Sequence, residues 1–389
     1  MAIAAAAVLF SAAARLVLSV LPQPMAAFSY SDLVAAAYTQ PVLEAHWPYF
    51  AYPFFYQPLV GWLVAALSFV VPDRLLLVLA LNALAAAAAG GVAALLVRRV
   101  GAPRTLLYWS CAPQLLLFGG ANVDTLPVLF LVGATAALIA RRTTATGVMI
   151  GLGTAAKVFP IVALPPFALG LWHASRRDAM RVVAVAFAVI ALLDLPALFA
   201  RYSLLDFGVG AYVAQPWNAD SIWLPVSLLL GALTGPQAAE RLIVAGSLIG
   251  AVATYAIVVV RPALRGADPA RLGWIAVVVL LLWTRLYSVQ YAIWLLPVFA
   301  LFVPRIAVFA LMTAGDVLVY AAVFGRTAGL ALGDPAALPF VIAMIAGVVV
   351  RHGALVLLLI QLIRPIPAHR TAGLPRLRPA ALRSRRGAS

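Results

Sequence analysis

Apolar segments of near-membrane length recur about every 20–35 residues through almost the whole chain, and this repetition constrains the fold more than any other feature of the sequence. A bilayer core requires roughly 20 apolar residues per crossing helix. The chain is 65% hydrophobic and 10% charged with a mean hydropathy of +1.05, whereas soluble domains are about 45–50% apolar. The sequence therefore predicts an all-α polytopic membrane protein with no soluble domain between its helices.

We predict about twelve transmembrane helices in a single domain over residues 1–363, followed by a basic, disordered tail over residues 364–389. The first apolar run contains Arg15 and lacks a cleavage site before a soluble domain, so we interpret it as a helix rather than a signal peptide. The apolar segment 53–71 is expected to lie along the outer surface, within an outer loop over residues 22–74. The predicted spans are 3–21, 75–97, 105–120, 125–140, 145–157, 159–172, 181–199, 238–260, 272–286, 289–303, 305–324 and 337–363.

The distribution of charge orients these helices. Net charge is +15, and most arginines fall in the loops 98–104, 141–142, 176–181 and 261–271 or in the tail, all on one side of this arrangement. Cytoplasmic loops carry such an excess of positive charge, so we expect both termini in the cytoplasm of a multi-pass plasma-membrane protein. Anionic lipid of the inner leaflet accounts for the basic surface, and nucleic-acid binding is not needed to explain it.

The longest break in the apolar pattern is residues 28–63, which carry Asp32, Glu44 and His46. A carboxylate just after the first membrane helix suits general-base chemistry, but Asp is also favoured in the first turn of a helix, where it acts as a cap. Asn122 and Asp124 begin a later helix, and capping is again the alternative to a role in binding.

Two cations lie at similar depth. From Arg142 to Lys157 the chain rises roughly 22 Å at 1.5 Å per residue, which is less than the ~30 Å of a hydrocarbon core. The stretch from Arg271 to Arg285 is similar in length. We therefore expect Lys157 and Arg285 near the outer membrane edge, where together they form an anion pocket suited to phosphate. The alternatives are a snorkelling Lys157 and structural pairing of Arg285 with Asp220 or Asp124.

The remaining polar groups carry less chemistry. Asp194 and Asp316 lie within helices and are interpreted as packing groups. The single cysteine, Cys111, excludes an internal disulfide, and neither His173 nor His352 has a metal-ligand spacing. We expect no cofactor, although the sequence does not decide whether a divalent metal takes part.

Six segments taken together carry a family resemblance: SYSD, PYFAYPFFYQPLVGWL, GGANVDTLPVLFLV, GLGTAAKVFPIVALP, NADSIW and YSVQYAIWLLP. In this order and spacing, over about residues 28–300, the chain resembles polyprenol-phosphate-sugar-dependent glycosyltransferases of the GT-C fold. The pattern is most similar to glycosyltransferase family 87, which includes actinobacterial mannosyltransferases. Two departures are Thr284-Arg285, where the pattern often has a lysine, and the FYQP at 55–58, where Tyr-Pro-Pro is common.

The resemblance implies a GT-C enzyme with surface helices in the first outer loop and its active site on the outer face. It implies Asp32 as the catalytic base, a polyprenyl-phosphate sugar donor with mannose as the sugar expected for the family, and a glycolipid or polysaccharide acceptor. Lys157 and Arg285 are expected to bind the donor phosphate. The expected substrate-binding residues are Glu44, His46, Tyr56, Gln57, Asn122, Asp124, Asp220, Ser221, Gln290 and Tyr291.

The main alternative from another class is a twelve-helix transporter or lipid flippase. Such proteins usually contain paired repeats and broken helices that meet near the bilayer midplane. The two halves of this sequence show no repeat, and the polar residues gather toward the outer face instead. The sequence therefore favours the enzyme.

Overall fold

A computed structural model describes residues 1–22, 25–205, 210, 214, 215, 217–302, 305–331, 333 and 338–364. The regular elements in these ranges are helices, which contain about 81% of the described residues. The predicted tail lies outside the described residues, apart from Arg364. The helices are α1 Ala2–Ser19, α2 Asp32–Thr39, α3 Val42–Ala45, α4 Pro58–Ser68, α5 Arg74–Val100, α6 Ala102–Thr105, α7 Pro113–Phe118, α8 Thr125–Ile139, α9 Thr143–Ala156, α10 Leu164–Trp172, α11 Arg176–Leu198, α12 Trp223–Thr234, α13 Pro236–Tyr255, α14 Arg261–Leu264, α15 Pro269–Trp283, α16 Ala292–Phe302, α17 Ile306–Ala331 and α18 Leu338–Ile363.

Six helices in the described ranges are long and apolar enough to cross a membrane. The expectation of an all-α polytopic membrane protein is therefore confirmed. The other apolar helices have 10–17 residues, so the count of twelve spans stays a prediction. The six long helices are Ala2–Ser19, Arg74–Val100, Arg176–Leu198, Pro236–Leu264, Ile306–Leu330 and Leu338–Ile363.

The segment 105–120, predicted as one helix, is interrupted. A π-helical turn over Leu106–Ser110 ends before Ala112, whose backbone is extended, and α7 begins at Pro113. Proline has no N–H to continue a helix and disfavours helical backbone in the residue before it, which explains the break. The short α7 that follows leads the chain directly to Gly120 and Ala121, next to Asp32.

The first loop folds into a small domain-like layer of its own. Its only long helix, α4, has 11 residues, or about 16 Å at 1.5 Å per residue, roughly half a hydrocarbon core. Several predicted spans contain helices of similar length, such as α16, so the placement of α4 along the outer surface stays a prediction. The Tyr49 ring packs closely against α4 at Gly61. A Cβ added at Gly61 would lie 2.7 Å from that ring, so this close contact requires glycine.

An aromatic core holds this layer against the long helices. Tyr49, Tyr52 and Phe54 are each less than 4% exposed. They pack in one cluster with residues from the start of α5 and from the end of α11, including Leu77 and Ala197. The loop therefore sits where α5 begins and α11 ends, which is the same end of the helix bundle.

Two central helices support the site from the other side. Every residue of α16 from Ala292 to Leu301 is buried, and most of α15 is buried as well. Hydrogen bonds link this core to neighbouring segments: the Trp274 indole donates to the Thr135 hydroxyl, and the Tyr255 hydroxyl donates to the Val162 carbonyl. The connection between α15 and α16, residues 284–291, consequently has fixed ends and reaches the loop that carries Asp32.

Candidate active site

Asp32 is the first residue of α2, and its side chain is not the cap of that helix. Ser31 is the N-cap, and its Oγ accepts the Val34 N–H at 3.5 Å. The Ser31 Oγ also donates to the Ala121 carbonyl at 3.0 Å, and the Asp32 N–H donates to the same oxygen at 2.9 Å. The backbone of Asp32 is thus anchored to the end of α7, and its carboxylate is left available for other partners.

The position of the Ala121 carbonyl depends on a close contact between α1 and the segment after α7. A Cβ added at Gly120 would lie 2.4 Å from the Ala12 backbone nitrogen on α1, so this contact requires a residue without a side chain. The Ala121 carbonyl that holds Ser31 and Asp32 therefore has its position set by the contact between α1 and the segment after α7.

Gln290 contacts the carboxylate from the opposite end of the chain. Its side-chain amide donates to Oδ2 of Asp32 at 3.2 Å. The Ser288 hydroxyl donates to Oε1 of Gln290 at 2.8 Å, which turns the NH₂ group toward Asp32. Gln290, expected from the sequence to bind substrate, therefore contacts the Asp32 carboxylate, and its role in binding stays a prediction.

A cavity of about 240 Å³ opens beside Asp32. This volume is smaller than the roughly 300–1,000 Å³ of pockets for drug-sized ligands and suits a single sugar ring. The lining combines charged, polar and aromatic side chains. Its lining residues are Arg15, Tyr30, Asp32, Phe118, Ala121, Asp220, Ser288, Val289, Gln290, Val323, Phe324 and Thr327.

Arg15 brings a cation to this cavity. Its side chain is buried, and its guanidinium donates to the main-chain carbonyls of Phe28, Tyr30 and Leu117. These bonds join α1 to the chain just before Asp32. The sequence reading missed Arg15 as a site residue, although a cation inside an apolar run was the available signal.

Two phenols flank the carboxylate. Burial, and then the negative charge of Asp32, raise the pKa of Tyr30 and of Tyr56 above the ordinary value of a phenol. Both hydroxyl groups therefore remain protonated and able to donate hydrogen bonds at neutral pH. Tyr56 was expected from the sequence, whereas Tyr30 was not.

A buried ion pair lies next to this group. The Lys157 ammonium is 2.5 Å from Oδ1 of Asp124, and the two side chains are 14% and 2% exposed. The Trp294 indole donates to Oδ2 of Asp124 at 3.0 Å, and Oδ1 of Asn122 accepts the Asp124 N–H at 2.9 Å. Asp124 occupies the N-cap position of α8 but makes no side-chain capping bond to that helix, so its carboxylate pairs with Lys157 and Trp294 instead.

Aromatic rings complete the environment of Lys157. Its ammonium lies 4.8 Å from the centre of the Tyr291 ring and 5.3 Å from that of Trp294, and these two rings stack at 3.9 Å. Asp32 is near enough to act electrostatically on Lys157. The cation–π contacts stabilise a desolvated cation close to the cavity.

Arg285 contacts a different part of the structure. Its Nη1 donates to the Gln215 carbonyl at 2.9 Å, and its own carbonyl accepts the Asn218 N–H at 2.9 Å. It thereby holds the segment before Asp220. A shared anion pocket formed by Lys157 and Arg285 stays a prediction.

Asp220 lines the cavity and receives the Val289 N–H on Oδ2 at 3.1 Å. Burial raises the pKa of its carboxyl to about 6, although the Arg351 guanidinium acts in the opposite direction. Ser221 is fully buried, donates to the Asn218 carbonyl at 2.7 Å and accepts the Trp223 N–H at 3.3 Å. Both bonds of Ser221 lie within its own loop, so they shape the loop that presents Asp220.

Three other expected residues lie apart from the cavity lining. Glu44 forms a 2.5 Å ion pair with Arg74, and this bond lowers the pKa of its carboxyl. The His46 Nδ1 is 3.0 Å from the Ser68 hydroxyl, and Gln57 occupies the N-cap position of α4. Their contacts stabilise the first loop, and their roles in substrate binding stay predictions.

Among the described residues, the structure brings together no group of three or more His, Cys, Asp or Glu side chains that would hold a metal ion. The groups around the cavity are instead carboxylates, phenols, amides and cations. Such a set is suited to moving a proton and holding an anion.

The sequence model of glycosyltransferase family 87 matches residues 54–288, more than half of the chain. No curated protein and no solved structure matches it. The matched stretch contains Tyr56, Asp124, Lys157, Asp220 and Ser288, whereas Asp32 and Gln290 lie just outside it. The chain belongs to glycosyltransferase family 87.

Proposed function

We propose that this membrane glycosyltransferase transfers a sugar, mannose by its family resemblance, from a polyprenyl-phosphate donor to a glycolipid or polysaccharide acceptor. The reaction inverts the anomeric centre, with Asp32 as general base, on the outer face of the plasma membrane. The observation that carries this proposal is the Asp32 carboxylate, which is held by Gln290 at the wall of a cavity that also contains a buried arginine.

The bond changes assign a task to each group. The acceptor oxygen forms a bond to the anomeric carbon while the bond from that carbon to the donor phosphate oxygen breaks, and the phosphate leaves with the electron pair. Asp32 removes the proton from the acceptor hydroxyl as this happens. This single displacement needs one carboxylate as base. It inverts the configuration of the anomeric carbon, because the acceptor attacks the face opposite the departing phosphate.

Two carboxylates line the cavity, and their surroundings favour Asp32 as the base. Asp220 accepts a main-chain N–H, that of Val289, and so joins two loops, whereas the bond that Asp32 accepts from Gln290 comes from a side chain. Asp32 lies in the first turn of α2, where the helix dipole stabilises the ionised carboxylate that accepts a proton. The Gln290 amide fixes the direction of that carboxylate without supplying a competing charge.

The departing phosphate gains negative charge, and preorganised cations lower the cost of that change. Arg15 lines the cavity itself, and Lys157 lies beside it among Asp124, Tyr291 and Trp294. An ammonium has three N–H donors, so the pairing of Lys157 with Asp124 leaves donors for a phosphate oxygen. A lipid-linked donor would keep its tail among the membrane helices while its phosphate reaches these groups.

A donor panel tests the proposal. Purified protein in lipid nanodiscs is offered polyprenyl-phosphate mannose, polyprenyl-phosphate glucose or GDP-mannose, each with a bacterial membrane lipid extract, and products are identified by mass spectrometry and by NMR of the new linkage. We expect a product from a polyprenyl-phosphate sugar only, with inverted anomeric configuration. Transfer from GDP-mannose in the absence of any lipid-linked donor, or retention of configuration, would refute the proposal.

A further inference from the structure

A buried arginine outside the family match contacts the wall of the cavity. Arg351 lies on α18, its side chain is 2% exposed, and its Nη2 donates to the main-chain carbonyl of Asp220. Its guanidinium also stacks over the Tyr287 ring, 3.9 Å from the ring centre. Arg351 therefore contacts both loops that supply polar groups to the cavity, the one before α12 and the one before α16.

The position of Arg351 is fixed by its own helix pair. Asp316 on α17 is its counter-ion, with Nη1 and Oδ1 3.9 Å apart, and the Gln114 amide donates to Oδ2 of Asp316 at 3.0 Å. Gly315 allows α17 and α18 to approach closely, because a Cβ there would lie 2.7 Å from the Arg351 backbone nitrogen. The guanidinium consequently has little freedom to move away from Asp220.

A short series of contacts runs from Arg351 to the proposed base. Arg351 holds the backbone of Asp220, and the Asp220 carboxylate accepts the Val289 N–H. The next residue, Gln290, donates to Asp32. Each contact joins a different segment of the chain, so the direction of the Gln290 amide depends on where Asp220 is held.

We propose that Arg351 is a positioning residue for the transferase reaction, which sets Asp220 and the segment 287–290 so that Gln290 orients the Asp32 carboxylate. The inference rests on the proposed function of Asp32. It assigns a role in activity to the helix pair α17–α18, which follows the family-matched stretch.

The competing explanation is structural. Two buried charges, Arg351 and Asp316, would then only neutralise each other. Breaking a buried pair by removing one partner destabilises a protein because the other charge remains uncompensated, whereas replacing both by neutral groups is often tolerated. A double substitution therefore separates the two explanations.

The titration of Asp220 gives a second, independent readout. The groups that act on it are Arg351 from α18 and Tyr287 from the loop before α16, and Arg15 and Asp32 share its cavity. Its pKa is about 6, and the Arg351 charge holds it lower than burial alone would. Loss of Arg351 therefore raises the pKa of Asp220, and the carboxylate loses its charge at a higher pH than before.

The test compares Arg351→Met, the neutral pair Arg351→Met with Asp316→Asn, and Asp32→Asn, using polyprenyl-phosphate mannose as the donor and membrane lipid extract as the acceptor. The neutral pair keeps a hydrogen-bond acceptor for Gln114 and is expected to melt near the wild-type temperature. Its kcat is expected to fall by about 10- to 100-fold, the scale of a small misplacement of a catalytic group. KM for the donor should change by less than about threefold, because Arg351 does not line the cavity, and the acidic limb of the kcat profile should move to higher pH.

The outcomes are distinguishable. If the neutral pair is folded and has wild-type kcat with an unchanged pH profile, Arg351 serves only the ion pair and the inference is wrong. If Arg351→Met is unfolded while the neutral pair is folded but slow, the inference holds. If Asp32→Asn keeps wild-type activity, the proposed function of Asp32 fails independently of what the Arg351 variants do.

Discussion

The Gln290 amide donates a hydrogen bond to the Asp32 carboxylate at 3.2 Å, joining residues 258 positions apart. Asp32 lies in the loop after the first long helix, and Gln290 lies in the short helical turn Val289–Tyr291 just before α16. Neither residue lies within the family-matched stretch of residues 54–288. The proposed catalytic carboxylate comes from before that stretch, and the amide that orients it comes from after it.

Asp32→Asn is the sharpest test of the proposed base. Asn has the same size and still accepts the Gln290 hydrogen bond, but it does not take up a proton. We expect transfer to fall by about 10²–10⁴-fold, the usual contribution of a positioned general base, while donor binding is retained. The measurement is initial-rate kinetics with thermal unfolding as the check on folding.

Asp32→Ala is its control for a structural role. Because Ser31 caps α2, this variant keeps the cap, loses the interaction of a first-turn carboxylate with the helix dipole, worth roughly 0.3–1 kcal/mol of stability, and also loses the hydrogen bond from Gln290. An Asp32→Asn protein that retains more than about a tenth of wild-type activity would rule out the base, because the loss would be smaller than any general base provides.

Gln290→Leu tests whether orienting the carboxylate matters. Losing a hydrogen bond to a charged group costs about 1.5–3 kcal/mol, which corresponds to roughly a 10- to 150-fold loss of kcat/KM. Ser288→Ala frees the Gln290 amide to rotate and should produce a smaller loss in the same direction. Equal activity of Gln290→Leu and wild type would show that Asp32 needs no orienting partner.

The sequence pointed to individual residues of this candidate site, but it did not predict which of them contact one another. Asp32, Asp124 and Gln290 stand out because polar residues at the ends of apolar helices are few, and the depth arithmetic anticipated a largely buried Lys157. Sequence spacing did not reveal the partner of Lys157, because pairing across α8 and α9 depends on how those helices pack. Arg15 was missed for a similar reason, because its carbonyl partners lie 13, 15 and 102 residues away and meet it only in the folded chain.

Gly120→Ala tests the anchor of the Asp32 backbone. The added Cβ would lie 2.4 Å from the Ala12 nitrogen, so α1 or the Ala121 carbonyl must shift. Such overpacking costs about 1–3 kcal/mol, and we expect lower activity as well as a lower Tm. Gly246→Ala is the matched control, since nothing lies within 4 Å of a Cβ at that position. Equal effects of the two substitutions would contradict a special requirement at Gly120.

The orientation in the membrane is tested by cysteine labelling. In a Cys111→Ser background, which removes the single cysteine of the chain, we expect a cysteine at Gly101 to react with a membrane-impermeant reagent only after the cells are opened. A cysteine at Phe55, which is exposed on the first loop, should react in intact cells. The reverse pattern would place the Asp32 cavity on the cytoplasmic face.

Lys157 requires a more careful experiment than a single substitution. Its ammonium neutralises the buried Asp124 carboxylate, and removing one partner of a buried pair costs roughly 3–5 kcal/mol of stability. Lys157→Met alone should therefore unfold more readily whether or not Lys157 binds a phosphate. Adding Asp124→Asn removes the uncompensated charge and keeps an acceptor for the Trp294 indole, so the double variant is expected to fold.

If Lys157 binds the donor phosphate, KM for polyprenyl-phosphate mannose in the double variant should rise by roughly 10- to 150-fold, the equivalent of about 1.5–3 kcal/mol for a hydrogen bond to a charged group. Arg285→Ala, which replaces a partly exposed cation, reports on the second predicted phosphate ligand without this complication. A folded Lys157→Met/Asp124→Asn protein with wild-type donor KM would show that Lys157 serves only its ion pair, and the cation for the phosphate would then have to be Arg15 or Arg285.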